Sequence, residues 1–316
     1  MLQRLKNVSV ARGRAAITWH GGRAALVRAT HRDQSAPRLE TSLTEVAKDA
    51  HGQVDLSGLQ LAGQPVQRSA ISSVLPDGSY QLLLEELPNA PREEMRSAVG
   101  WRIKDRIEMS LDDAVIELLE MPAKARGGTN QSAYAIIAKR EQVSAQIARL
   151  KAAGLKLDVL DLPELCMRNL AARLRQDQEG VAFLHFTDNG GLLTITRQRV
   201  LYLIRHIEIG QLQLDESADT QLSTALIPSI CLELQRSLDY YEANYDLPAV
   251  KTLVLGPGAG LATLKAAITE QLGIKVLDLD LNAMFDLAQP LSADDQKACL
   301  FAVGAALRPD SATAWE

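Results

Sequence analysis

The chain has 316 residues, of which 47% are apolar and 4% aromatic, with a formal net charge of −5 and a sequence pI near 5.7. That length makes two domains the default expectation, and an acidic balance gives no electrostatic footing for a nucleic-acid partner. No apolar run reaches the roughly 18 residues that a membrane-spanning helix needs.

Cys166, Cys231 and Cys299 stand too far apart in sequence for a zinc site, and their odd number suits a reducing compartment, so buried thiols are expected. The N-terminal stretch MLQRLKNVSVARGRAA lacks the apolar core of a signal peptide, and a cytoplasmic protein is the expectation. Arg4, Lys6, Arg12 and Arg14 make this stretch basic, which suits a frayed tail or a membrane-surface contact.

Arg14–Trp19 and Arg23–Thr30 read as strands joined by the turn His20-Gly21-Gly22. Asp33–Pro65 is polar and mixed, with a helical turn or two expected over Leu43–Lys48. Ala70–Leu75 and Tyr80–Leu84 read as strands around the turn sequence Pro76-Asp77-Gly78. Asn89-Ala90-Pro91-Arg92-Glu93-Glu94 carries helix-start signals, and Met95, Val99, Ile103 and Ile107 extend one apolar stripe to about Ile107. Strands over Ala114–Glu120 and Ala133–Ala138 flank a charged, glycine-bearing loop over Ala123–Gln131. A helix over Glu141–Ala153 is closed by Gly154, and a strand follows over Leu157–Leu160.

Pro163–Arg175 reads as a helix carrying Leu165, Leu170 and Leu174. Val181–Phe186, Leu192–Thr196 and Val200–Ile207 then form an antiparallel meander, turned first by Asp188-Asn189-Gly190-Gly191 and then by Arg197-Gln198-Arg199. The Asn-Gly pair predicts a tight hairpin turn with positive φ at both central positions. Gln211–Thr220 is polar; a long helix over Leu226–Tyr245 turns Ile230, Leu234, Leu238, Tyr241 and Tyr245 to one face. The strand Lys251–Leu255 ends in Gly256-Pro257-Gly258-Ala259-Gly260 and feeds a helix over Leu261–Leu272, stopped by Gly273. A strand over Lys275–Leu279 and a last helix over Ala293–Leu307 complete the reading.

AAITWHGGRAALV and VAFLHFTDNGGLLTI share a strand, glycine turn and strand, the trace of a duplicated module. Three glycine turns thus stand at strand ends. Bare backbone N–H groups in such turns hold anions such as phosphate, and a glycine loop entering a helix adds a favourable dipole. The same residues are also what tight turns require. GPGAG matches neither the P-loop nor the dinucleotide fingerprint. None of the five histidines has metal-ligand spacing; His185 and His206 are expected on neighbouring strands, paired across the sheet. Asp188 is a candidate for water-mediated Mg²⁺ contact, or a plain turn residue.

The order of these parts resembles the actin-like nucleotide-binding fold, a duplicated RNase H-like α/β architecture of two domains with an inserted small α+β subdomain. More narrowly it resembles the PilM family of type IV pilus assembly proteins. The likeness is carried by Pro91–Trp101 with Met109–Ala114, by Leu157–Leu165 with Arg168-Asn169-Leu170-Ala171, by Glu233–Tyr241, by Leu253–Leu261 with Leu272–Val276, and by Ala302–Arg308. It implies a first subdomain of residues 1–69 with 156–178, an inserted subdomain of 70–155 and a second domain of 179–316. It also implies ATP with Mg²⁺ in the cleft, and a groove for the cytoplasmic N-terminal tail of a PilN-like (MshJ-like) bitopic inner-membrane partner. The Arg92–Ile107 helix and the Ala70–Leu75 strand are the expected walls of that groove.

Carried over by position, Gly21 and Gly22 fall in the first phosphate hairpin, Asp188, Asn189, Gly190 and Gly191 in the second, and Gly256, Pro257, Gly258 and Ala259 in the adenosine loop. The first hairpin departs from the family pattern. Thr18-Trp19-His20-Gly21-Gly22-Arg23 holds no carboxylate where the family places one for Mg²⁺. Metal-assisted hydrolysis needs a carboxylate-held ion and an oriented water. The chain is therefore expected to bind nucleotide weakly or not at all and to be a degenerate member; an active ATPase or phosphotransferase and a nucleotide-free scaffold are the alternatives.

Overall fold

The computed structural model describes residues 13–20, 23–30, 37–45, 66, 69–125, 131–217 and 223–309. In chain order the first part gives β1 (Arg14–His20), β2 (Arg23–Thr30), β3 (Arg38–Glu45), β4 (Ala70–Val74), β5 (Tyr80–Glu86), α1 (Met95–Ile103), β6 (Ala114–Glu120), β7 (Ser132–Lys139), α2 (Arg140–Ala152), β8 (Leu157–Asp161) and α3 (Pro163–Ala171). The second gives β9 (Val181–Phe186), β10 (Gly191–Arg197), β11 (Val200–Ile207), α4 (Gln211–Ser217), α5 (Ser223–Tyr245), β12 (Thr252–Leu255), α6 (Ala262–Leu272), β13 (Lys275–Asp278), α7 (Leu281–Met284), β14 (Asp286–Leu287) and α8 (Ala293–Ala306).

These strands form a six-stranded sheet, β14-β3-β2-β1-β4-β8, a five-stranded sheet, β11-β10-β9-β12-β13, and a three-stranded sheet, β5-β7-β6. Both large sheets start from an antiparallel meander and continue with parallel strands, β4 and β8 in one and β12 and β13 in the other. The repeat seen in the sequence is thus a repeat of topology.

The placement of helices follows from which strand faces are apolar. Leu150 of α2 and Leu155 just beyond it pack with Ala15, Ile17, Leu26 and Ile71 on one face of the six-stranded sheet. On its other face Ala16, Ala25, Val27 and Ala29 meet Cys166, Met167 and Leu170 of α3 and Leu300, Val303 and Ala306 of α8. Val181, Phe183, Leu192 and Leu201 of the five-stranded sheet join that same cluster, so α3 and α8 lie between the two large sheets. The far face of the second sheet is closed by Ile230, Leu234, Leu238 and Tyr241 of α5 with Leu264 and Ile268 of α6. Burying each such side chain contributes about 1.5–3 kcal/mol, so this shared middle layer is what joins the halves.

The contact between α3 and α8 depends on small residues. A Cβ on Gly304 would run into the backbone of Cys166. Asn169 Nδ2 donates to the Gly304 carbonyl at 2.9 Å, a buried bond that sets the register of the two helices. In the small third sheet, α1 buries Val99 and Ile103, with Ile107 just beyond, against Ala114, Ala135 and Ile137.

Several expectations need correction. The helical turn expected over Leu43–Lys48 is overturned at residues 43–45, which belong to β3, and residues 46–48 lie outside the described residues; Leu39 and Leu43 face the core, and β2 supplies the ladder from Arg23↔Glu45 to Thr30↔Arg38. α1 begins at Met95, with no side-chain cap at its start, and ends at Ile103, followed by a 3₁₀ turn over Lys104–Arg106. The polar stretch after the meander contains α4, and the short α7 and β14 were not expected.

Positive φ falls at Gln198 (52°) and Arg199 (69°) rather than at the Asn-Gly pair. Buried Asp177 organises that second turn, accepting from Arg199 N on its side chain and from Gln198 N on its carbonyl, each at 2.7 Å. The Asn-Gly loop is held differently: Thr187 N donates to the Gly190 carbonyl at 2.8 Å, and Leu212 N of α4 to the Asp188 carbonyl at 3.2 Å. His185 and His206 are not neighbours across the sheet, since Leu192 of β10 pairs with both and separates them.

The first large sheet draws on distant parts of the chain. β4 lies inside the six-stranded sheet, α2 covers that sheet, and β14 and α8 return to it from the end of the chain. Among the described residues, no helix is long and apolar enough to cross a membrane.

Candidate functional site

A cavity of about 520 Å³ opens where the two large sheets face each other. Thr18, Trp19 and Arg23 line it from the β1–β2 hairpin, Val74–Asp77 from the end of β4, and Tyr80 from the start of β5. The second sheet contributes His185, Thr187, Asp188, Gly190, Gly191 and His206, and α8 contributes Asp294, Lys297 and Phe301.

Both cationic side chains that line it are paired with carboxylates. Lys297 Nζ donates to Asp188 Oδ1 at 2.9 Å, joining α8 to the β9–β10 turn. Arg23 Nη2 donates to Asp295 Oδ1 at 2.6 Å, and this bond holds the Asp295 carboxyl below the usual carboxylate range. Deeper in, Tyr80 OH lies 2.8 and 2.9 Å from the two oxygens of Glu164, and His206 Nε2 stands 2.9 Å from Glu164 Oε1. Burial, and then the Glu164 charge, pushes the Tyr80 phenol well up. The hydrogen bond to Glu164 raises His206 above the ordinary imidazole value.

The expected site residues divide into three groups. Asp188, Gly190 and Gly191 line the cavity, and Asn189 stands at the exposed tip of the same loop. Gly191 answers to packing, since a Cβ there would come within 2.9 Å of the Phe186 ring. Gly256, Pro257, Gly258 and Ala259 do not line the cavity: Gly256 abuts the His185 ring, which stands at the cavity wall. Their loop is held by Gln211, whose Nε2 donates to the Ala259 carbonyl at 2.8 Å and to Asp215 Oδ1 at 2.6 Å. Gly21 and Gly22 lie outside the described residues, although Arg23, which follows them, reaches the cavity.

Asp188 would hold a metal ion only against a competing cation. Its Oδ1 faces an ammonium, and a divalent ion beside Lys297 meets a repulsion of about 4 kcal/mol per pair of unit charges at 4 Å. Among the described residues, no three His, Cys, Asp or Glu side chains cluster as a metal site. What the cavity offers is an apolar wall of Trp19, Leu192 and Phe301 beside two cations held in ion pairs.

The expected peptide groove also changes. β4 is paired on both edges, by β1 and β8, and its residues after Ala70 are buried, so it is not a strand that an incoming peptide extends. α1 keeps an outward face on which Trp101 is 65% exposed, with Lys104 Nζ 5.5 Å from its ring centre.

Sequence reasoning missed Tyr80, Glu164 and Lys297 as site residues, and took His206 for a partner of His185. Glu164 is separated from Tyr80 by 84 positions and from His206 by 42, and Lys297 from Asp188 by 109, so no spacing signals them. One signal was present: a glutamate beginning a helix buried on nearly every side needs partners.

Two meander-first sheets, helices between them and a small α+β unit inserted into the first half define a two-domain α/β protein with the actin-like fold. The chain is similar to the solved PilM-PilN type IV pilus biogenesis complex, over 94% of this chain and 98% of that one, with a TM-score of 0.66 and 17% identity. It is also similar to a Bacteroides thetaiotaomicron protein with an actin-like ATPase fold, covering 94% and 99% with a TM-score of 0.49 and 9% identity. A third likeness is to the cytoplasmic domain of Epsl, an inner-membrane component of the Vibrio cholerae type II secretion system, covering 90% and 93% with a TM-score of 0.42 and 11% identity. No protein-family model matches the chain, and no curated protein matches it. At these identities the likeness is one of fold.

Proposed function

We propose that this protein is an assembly platform of a type IV pilus system, whose work is to grip the cytoplasmic N-terminal tail of a PilN-like inner-membrane partner. The observation that carries this reading is the near end-to-end fold likeness, inserted unit included, to a protein solved as a PilM-PilN complex. In its finer form, the reading places the chain beside the MshI member of that group, with an MshJ-like partner at the cytoplasmic face of the inner membrane. The tail docks as a short extended segment against the inserted unit, a recurrent mode of peptide recognition. With β4 enclosed, α1 and the edge strand β5 are the walls, and Trp101 is the apolar anchor.

Nucleotide has a minor place in this reading. The Lys297–Asp188 and Arg23–Asp295 pairs occupy the two cations of the cleft, and Asp77, Glu208 and Asp294 add negative charge to its lining, which favours weak ATP binding without useful turnover. The test is titration of the full chain with a synthetic peptide of a PilN-like cytoplasmic N-terminus, followed by fluorescence anisotropy. Binding at or below tens of micromolar, unchanged by ATP and Mg²⁺, is expected. No binding at that concentration sinks the platform reading, and ATP hydrolysis well above background sinks the degenerate-site reading.

A further inference from the structure

Three separately built parts of the molecule meet at one carboxylate. Glu164, in the first turn of α3, has a fully buried side chain. Tyr80, the first residue of β5, brings the inserted unit to it, with its hydroxyl 2.8 and 2.9 Å from the two carboxylate oxygens. His206, near the end of edge strand β11, brings the second sheet to it, with Nε2 at 2.9 Å. The imidazole is half exposed, and both it and Tyr80 line the cavity, so proton exchange with solvent has a route.

The groups that act on His206 from the other elements are acidic or neutral. Glu164 and Tyr80 face it from α3 and β5, and Asp77 acts on it from the turn before β5. From β7, Tyr134 OH donates to the carbonyl of Ile204, two residues back on β11, at 3.2 Å. The β10 residue opposite is the apolar Leu192, and Arg205 and Glu208 are its charged neighbours on its own segment.

We propose that Tyr80, Glu164 and His206 form a proton-operated clasp that holds the second sheet's edge and the inserted unit to α3, closing the cavity when His206 is charged and loosening it when His206 is neutral. A buried carboxylate is tolerated when its charge is matched, and losing the imidazolium leaves Glu164 with the Tyr80 hydroxyl as its main compensation. The sign follows from the raised His206 value. The tie is complete below the ordinary imidazole value of about 6.5 and is lost as pH rises through the higher folded value. Because α3 and α8 keep a shared apolar layer with both large sheets, the change is a widening of the cavity and not a separation of the halves.

The test uses the full chain carrying spin labels at Lys156→Cys and Glu270→Cys, exposed positions associated with the first and second large sheets; Cys166, Cys231 and Cys299 are buried. The expected result is a narrow inter-label distance distribution at pH 5.5 that lengthens or broadens by pH 8.5. His206→Gln, which keeps a donor but cannot charge, is expected to show one distribution at both pH values. In the unlabelled protein, NMR titration of His206 is expected to report a value above 6.5. A wild-type distribution that ignores pH, a shift that persists in His206→Gln, or a His206 value at or below 6.5 each overturns the clasp. The first and last readouts need no clasp variant to fold.

Discussion

Lys297 and Asp188, separated by 109 residues in sequence, meet at 2.9 Å across the mouth of the cavity. The lysine belongs to the helix between the sheets and the aspartate to the first turn of the second meander. An internal ammonium thus faces a carboxylate at the wall of the cavity. Both side chains are part-exposed, so the pair adds about 0.2–1 kcal/mol to stability. Lys297→Met is expected to lower the unfolding free energy by no more than that amount. It is also expected to create a Mg²⁺-dependent rise in melting temperature that wild type lacks. Melting curves with and without the ion check both statements, and a wild-type protein already stabilised by Mg²⁺ contradicts the second.

The packing of α3 on α8 predicts a large effect from a small change. A side chain at Gly304 has no room beside the Cys166 backbone, and the helices cannot part without exposing Leu170 and Val303. Gly304→Val is expected to destabilise by about 3 kcal/mol, near the upper end for overpacking. Urea denaturation checks this. A loss below about 0.5 kcal/mol, the range of ordinary surface substitutions, means that the helices slide easily.

Acid stability carries a separate signature. Arg23 holds the Asp295 carboxyl below its usual range, so this pair contributes stability that is complete above the unfolded carboxylate value and lost as pH falls through the folded one. Arg23→Gln is expected to reduce the fall in melting temperature between about pH 4 and pH 2.5, since Asp295 then keeps only the smaller lowering that its hydrogen bonds with Ser292 supply. Parallel acid limbs in wild type and variant contradict the assignment.

Trp101 separates folding from recognition. It is 65% exposed, so Trp101→Ala is expected to change stability by less than about 0.5 kcal/mol. In the proposed docking mode the same change weakens peptide binding by about tenfold or more, the usual scale for a buried aromatic anchor. Anisotropy titration of both proteins reads this directly, and equal affinities place the anchor elsewhere.

Element type was legible wherever burial was one-sided and local. Met95, Val99, Ile103 and Ile107 announced α1, and Ile230 through Tyr245 announced α5, because a helix facing one apolar layer repeats its inward residues every turn. The reading failed where a partner decides. The end of β3 was taken for a helical turn because its ladder is supplied by β2, and the Asn-Gly turn was given the wrong backbone because α4 and Thr187 hold it. β4 was taken for a groove wall because nothing local reveals that strands lie on both sides of it.

The amino-acid order alone determined the alternation of strands and helices, the doubled meander and the glycine turns, since these follow from periodicity and turn chemistry over a few neighbouring residues. It also carried the missing carboxylate at Thr18–Arg23, a matter of composition. Only the tertiary structure decided that Lys297 takes the side of Asp188, that the GPGAG loop stands behind His185, and that Glu164 collects Tyr80 and His206. Charges find one another across folded distances of a few ångströms, and separations of 42 to 109 residues leave no periodic trace of that meeting in the chain.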